Sequence, residues 1–182
     1  MKLRLASTSE HKVRELQTAL EGWEVEALPV EPPAETGATY EENALIKARF
    51  ARRHAASDEW VFADDSGVEA DALDGRPGVH SARWSDAWIE TMLSELRGRE
   101  SRRGRYVCVL AAISPDGDEV LARGELPGSF ALEPRGDQGF GYDPIFVPDG
   151  ESRTVAELGN EWKETHSHRA QAARKLRQAL AG

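Results

Sequence analysis

Residues 61–83 read V-F-A-D-D-S-G-V-E-A-D-A-L-D-G-R-P-G-V-H-S-A-R. The apolar run at their start gives way to two adjacent carboxylates, Asp64 and Asp65, then to Ser66 and Gly67. Two carboxylates about 4 Å apart repel by roughly 4 kcal/mol at an effective dielectric of about 20. Either water screens that repulsion or positive charge sits between them. By alternation, E-W-V-F-A (59–63) is a buried strand ending at the acid pair. Ser66-Gly67 would supply a turn bringing both acids into one site, and 67–73 is a further alternating segment. Ligand sites in open α/β sheets gather at the carboxyl ends of strands. Oxygen ligands without nearby His or Cys favour a hard cation, Mg²⁺ before Zn²⁺. A solvated turn with Ser66 bonding locally accounts for the same pentapeptide.

Working outward, K-L-R-L-A (2–6) alternates as a strand and leads into a helix with Val13, Leu16 and Leu20 on one face. W-E-V-E-A-L (23–28) is a second strand, followed by a proline-rich loop. A helix opening at T-Y-E-E (39–42) is expected to bury Leu45, Ala48, Ala51 and Ala55. The segment 88–96 is helical, 105–113 is an apolar central strand, P-D-G (115–117) is a turn and 119–126 a further strand. G-F-G-Y-D-P-I-F-V (139–147) is a glycine-broken loop entering a strand, and a final helix runs from about residue 167 to 180. Interleaved strands and helices without repeats or a linker predict one α/β domain, 1–182, with a mixed sheet.

The 182 residues suffice for one substantial core. Twenty-three basic residues face 32 acidic ones, a formal charge of −9. That argues against a nucleic-acid polymer, whose backbone demands a basic face, but not against a free nucleotide. The lone Cys108 lies in an apolar run, so no disulfide framework exists. With no signal peptide and no long apolar segment, no membrane partner and a cytoplasmic location are expected.

Four more stretches carry possible chemistry. S-T-S-E-H-K (7–12) joins a strand to a helix start, where backbone N–H groups cradle anions and Lys12 adds a charge; Ser7 and Glu10 also have capping-box spacing. In E-T-G-A-T-Y-E-E-N-A-L-I-K-A (35–48), Thr39 and Glu42 have the same spacing, leaving Glu35 as the better metal candidate. Lys47, four residues after Asn43, is placed away from the Leu45/Ala48 face. In G-F-G-Y-D-P, glycines permit close approach of a flat ligand, Phe140 offers a stacking surface and Asp143 an acceptor for a ring N–H; the alternative is a strand-entry loop whose aromatics are core. K-E-T-H-S-H-R (163–169) places Lys163, His168 and Arg169 before or in the first turn of the last helix. There cations oppose the helix dipole unless an anion or electron-rich base edge arrives, a solvated basic turn being the alternative.

Taken in order, L-A-S-T-S-E-H-K-V-R-E-L, T-Y-E-E-N-A-L-I-K-A, the stretch from Phe62 to Arg83, G-F-G-Y-D-P-I-F-V-P-D-G and S-H-R resemble the inosine triphosphatase family. Its members are purine nucleoside-triphosphate pyrophosphatases acting on XTP, ITP and dITP. The resemblance implies two α/β lobes around a long mixed sheet with flanking helices, substrate in the cleft between them, a homodimer and a Mg²⁺ requirement. By position it implies that Asp65 is general base and metal ligand, with Asp64 and Glu35 completing the acidic cluster. It further implies that Ser66 contacts substrate. Ser7, Thr8, Ser9, Glu10, His11 and Lys12 would hold the phosphates with Lys47. Phe140, Gly141, Tyr142 and Asp143 would line the base pocket, with Lys163, His168 and Arg169 near the base and sugar-phosphate end. The family's threonine-glycine-asparagine is here Ser7-Thr8-Ser9, and the segment 83–105 is short for the family. The other readings are a pyrophosphatase of different base preference and a catalytically inactive nucleotide-binding sensor.

Overall fold

The computed structural model describes residues 2–7, 10–20 and 22–181, with the side chains of Glu10 and His11 outside that description. Six strands, β1 (Lys2–Leu5), β2 (Glu24–Ala27), β3 (Trp60–Ala70), β4 (Arg103–Ile113), β5 (Glu119–Phe130) and β6 (Phe146–Pro148), form one sheet in the order β2-β1-β3-β4-β5-β6. β1 runs parallel to both β2 and β3, whereas β5 and β6 are antiparallel, so the sheet is mixed as expected. Its helices are α1 (Glu10–Ala19), α2 (Tyr40–Arg52), α3 (Trp88–Glu95), α4 (Val155–Leu158), α5 (Asn160–His166) and α6 (His168–Ala181).

The chain divides into two compact units. The first comprises residues 1–65, 108–124 and 168–182, the second residues 66–107 and 125–167. In the first, Leu16 of α1, Leu20 just after it, Leu3 and Leu5 of β1, Phe62 of β3, Leu110 of β4 and Leu176 of α6 make an apolar core. In the second, Val68, Met92, Leu96, Tyr106, Ile145 and Phe146 do the same.

Two expectations need correction. The strand ending at Ala63 and the segment after Gly67 are one strand: β3 passes through Asp64, Asp65, Ser66 and Gly67 without a turn. Turn-forming residue types sit in a strand here because their polar groups find buried partners, described below. On α2 the buried face is Tyr40, Asn43, Ala44, Lys47, Ala48 and Ala51, so Lys47 points inward and Leu45 is only half-buried. Lys163 lies before the last helix, on the short separate helix α5, while His168 and Arg169 open α6.

α6 lies hard against β5 at Gly124. A methyl group there would sit 2.0 Å from the His168 carbonyl oxygen and 2.5 Å from the Ala172 nitrogen. Both are backbone atoms of a packed helix and cannot swing aside, so glycine sets how closely α6, and with it Arg169, approaches the sheet. Gly124→Ala is expected to cost about 2 kcal/mol through overpacking. Thermal denaturation should show the midpoint falling by roughly 4–8 °C; an unchanged midpoint would contradict this close approach.

Candidate active site

Successive side chains of a strand leave on opposite faces. Because β3 is unbroken through Asp64 and Asp65, the two acids are drawn to different partners, and each is nearly fully buried. Asp64 meets Lys12 of α1, whose Nζ lies 3.0 Å from Oδ1 and 2.9 Å from Oδ2. Arg169 of α6 adds Nη2 at 3.8 Å from Oδ2. Arg169 also donates from Nη1 to Glu15 of α1, and α1 packs on α6. Burial alone would raise the Asp64 pKa, but Lys12, Arg169 and Lys47 together hold it well below the ordinary carboxylate range. Burial opposes the charge on Arg169, and Glu15 and Asp64 overcome it, so its pKa is raised. A cation in the first turn of α6 is therefore compensated from within the protein, by two carboxylates.

Asp65 turns to α2. Its Oδ1 accepts from Lys47 Nζ at 3.1 Å and its Oδ2 from Asn43 Nδ2 at 3.2 Å. Lys47 Nζ also donates to Glu35 Oε1 at 2.7 Å, so two carboxylates share one ammonium. Burial pushes the Asp65 pKa from 3.8 up to about 6, Lys47 opposing the shift and Glu35 reinforcing it. Lys47 is raised, since the attraction of Asp64, Asp65 and Glu35 outweighs its burial. Thr39 caps α2 by accepting from the Glu42 amide at 3.2 Å, and Glu42 Oε2 accepts from the Ala38 amide at 2.6 Å, so Glu42 serves the helix start. Glu35, Asp64 and Asp65 do not converge as one cage; among the described residues no three His, Cys, Asp or Glu side chains do.

In the second unit, Asp143 is buried and accepts three hydrogen bonds. Tyr106 Oη reaches Oδ1 at 3.0 Å, while Lys163 Nζ and the Phe140 amide reach Oδ2, each at 2.9 Å. Lys163 Nζ lies 4.4 Å from the centre of the Phe140 ring. Tyr142 is buried and stacked on Trp88 with ring centres 6.1 Å apart; burial pushes its hydroxyl pKa up to about 12. Of the loop aromatics, then, Tyr142 is core and Phe140 is displayed, 47% exposed. Gly141 takes a left-handed φ of 63°, a conformation that favours glycine.

The remaining sequence candidates are placed as follows. Ser66 follows Asp65 in β3 and is half-buried. Ser7 is buried after β1, and His168 is buried at the start of α6. Thr8 and Ser9, and the side chains of Glu10 and His11, lie outside the described residues. Asn43 and Glu15, which touch the acids or their cations, were not among the sequence candidates. The only sequence signal for Asn43 was its four-residue spacing to Lys47.

The two neighbouring acids should respond oppositely to neutralisation. Asp65, with a raised folded pKa, contributes stability that is fully present below pH 3.8 and lost as pH rises through about 6. Above that pH its charge costs roughly 3 kcal/mol. Asp64, with a depressed pKa, contributes stability above the unfolded value of 3.8 that is lost as pH falls through its folded pKa. In metal-free protein at pH 8, Asp65→Asn should raise the denaturation midpoint, and the gain should vanish near pH 4. Asp64→Asn should destabilise by about 3 kcal/mol by removing the charge that buried Arg169 and half-buried Lys12 share. Shifts of the same sign at pH 8 would contradict the separation.

Residues 3–179 match the Ham1 family, a span that contains all five stretches quoted above. The chain is 45% identical over 183 residues to a dITP/XTP pyrophosphatase of Deinococcus deserti, covering 96% of this chain and 87% of that protein. It is 48% identical over 181 residues to a dITP/XTP pyrophosphatase of Symbiobacterium thermophilum, covering 94% and 90% respectively. Among solved structures, the Ham1 protein of Staphylococcus aureus is similar with a TM-score of 0.88 and 34% identity, over 100% of this chain and 99% of that one. A nucleoside-triphosphatase / dITP/XTP pyrophosphatase from Mycobacterium abscessus is similar with a TM-score of 0.77 and 41% identity, over 99% and 100%. With the acid–lysine cluster on β3 and α2, and with likeness along nearly its whole length, the chain belongs to the Ham1 family.

Proposed function

We propose that this protein hydrolyses purine nucleoside triphosphates bearing hypoxanthine or xanthine (dITP, ITP and XTP) to the nucleoside monophosphate and pyrophosphate. The observation that carries this reading is the convergence of Glu35 and Asp65 on Lys47, with the Asp65 pKa pushed up to about 6. A carboxylate tuned toward neutrality is suited to take a proton from water. Two acids sharing one ammonium leave negative charge in excess, and their oxygen-only donors fit a hard divalent cation. Glu35 and Asp65 are the residues that would hold Mg²⁺, which when bound neutralises phosphate charge and polarises the reacting phosphoryl group.

In this reading Asp65 orients a water molecule and takes its proton. The water oxygen bonds to the α-phosphorus, the bond from that phosphorus to the α–β bridging oxygen breaks, and pyrophosphate leaves. Lys47 and Lys12 meet the negative charge moving onto the leaving group. Asp64, which the sequence resemblance places among the metal ligands, serves to hold Lys12 and Arg169. By the resemblance, the stretch Ser7–Lys12 would hold the phosphates and Ser66 would contact substrate beside Asp65.

Base recognition falls to the loop Phe140–Asp143 with Lys163. Phe140 offers a ring for stacking, held from below by the Lys163 ammonium. Hypoxanthine and xanthine carry an acceptor, O6, where adenine carries an amino donor. A pocket of donors rejects adenine because it would leave buried donors facing donors, an effect that can reach about 10⁴. The same resemblance supports a cytoplasmic homodimer acting on free nucleotides. No helix among the described residues is long and apolar enough to cross a membrane.

The test is Mg²⁺-dependent product release from dITP, ITP, XTP, dTTP, ATP and GTP. Pyrophosphate and monophosphate should appear from the first three, with GTP and ATP turned over far more slowly. Asp65→Asn should lower kcat by roughly 10²–10⁴. Orthophosphate as first product would overturn the mechanism. Preferential turnover of dTTP would indicate a different base preference, and binding without turnover a sensor.

A further inference from the structure

Asn43 is fully buried on the inner face of α2, and both ends of its amide are committed. Its Oδ1 accepts the Gly37 backbone N–H at 2.8 Å, and its Nδ2 donates to Asp65 Oδ2 at 3.2 Å. The chemistry fixes this orientation, because a backbone N–H only donates and an ionised carboxylate only accepts. Gly37 lies two residues after Glu35, the second acid on Lys47. The close approach depends on glycine: a Cβ at residue 37 would lie 2.8 Å from Asn43 Oδ1 and 2.6 Å from Glu42 Cβ. One rigid amide thus ties the loop bearing Glu35 to the strand residue Asp65, while Lys47, one helical turn along on the same face, draws both carboxylates to a single point.

We propose that Asn43 is the positioning residue of the reaction, setting Glu35 and Asp65 in register through one amide without touching substrate. This rests on the reading of Asp65 as the base. A serine or aspartate at position 43 cannot do both tasks. Serine is too short to span the two partners, and aspartate keeps an acceptor for Gly37 but presents an oxygen to Asp65 where a donor is needed.

The experiment compares Asn43→Asp, Asn43→Ser and Gly37→Ala with the parent and with Asp65→Asn. It measures kcat and KM for pyrophosphate release from dITP, and amide hydrogen exchange at residue 37 in metal-free, nucleotide-free protein. Asn43→Asp should lose about 10–100-fold in kcat, as is usual when the partner of a reactive ligand is removed. Its KM should stay within threefold and its residue-37 amide should remain protected. Asn43→Ser and Gly37→Ala should lose that protection, with kcat falling in both. Should Asn43→Asp not fold, the serine variant carries the test. A folded Asn43 variant with kcat within threefold of the parent, or a loss confined to KM, overturns the proposal. If Asp65→Asn itself turns over normally, the assignment of the base has failed, and the Asn43 proposal with it. If Asp65→Asn is inactive while the Asn43 variants are not, only the Asn43 proposal fails.

Discussion

A strand sends neighbouring side chains to opposite faces, and at Asp64-Asp65 this constraint organises the first unit. A buried carboxylate without a partner costs several kcal/mol, so β3 carries two consecutive buried acids only because cations reach it from three helices. Lys12 comes from α1, Arg169 from α6 and Lys47 from α2. These requirements propagate. Arg169 lies within reach of Asp64 because α6 descends onto Gly124, and its own charge is completed by Glu15 across the α1–α6 contact. Lys47 can be buried because Asp65 and Glu35 both accept hydrogen bonds from its ammonium. Fold and site are one set of charges, with partners 12 to 154 residues apart in sequence.

The two halves of this arrangement are not equivalent. Around Asp64, two acids (Asp64 and Glu15) meet two cations (Lys12 and Arg169), and the acid is held firmly ionised. Around Asp65, two acids (Asp65 and Glu35) share one ammonium, and burial wins. The balanced half fastens helices to a strand. The unbalanced half retains an electrostatic deficit that a divalent cation and a proton in transit are suited to fill. Perturbed carboxylates mark functional sites because of this kind of imbalance. The Asp143 cluster is a third solution, in which one carboxylate takes a hydroxyl, an ammonium and a backbone amide and so fixes the loop that displays Phe140.

Much of the fold was legible in the sequence. The periods of β1, α1 and β2 placed those elements within a few residues, because one-sided burial leaves a clean alternation or helical stripe, and the unbroken apolar run of β4 declared a strand buried on both faces. Asp-Asp-Ser-Gly misled because those residue types favour turns wherever water is available, and nothing local to them shows that three helices supply the countercharges instead. Lys47 was put on the wrong face for a related reason: lysine is rarely buried unless paired, and its partners lie 12 and 18 residues away. α4 and α5 are too short, at 4 and 7 residues, for a hydrophobic stripe to declare them. The candidate acids, the lysines and the Phe140 loop were readable as residue types at familiar spacings. Which acid holds which cation was not, since that is decided by the pleat of one strand.

The separation of Asp64 from Asp65 is tested most directly by following both side-chain carboxyl resonances by ¹³C NMR through an acid titration of the metal-free protein. Asp65 should titrate with a midpoint near 6, while Asp64 should stay ionised down to the acid limit of the folded state. Two midpoints in the ordinary carboxylate range, or Asp64 titrating above Asp65, would contradict the account.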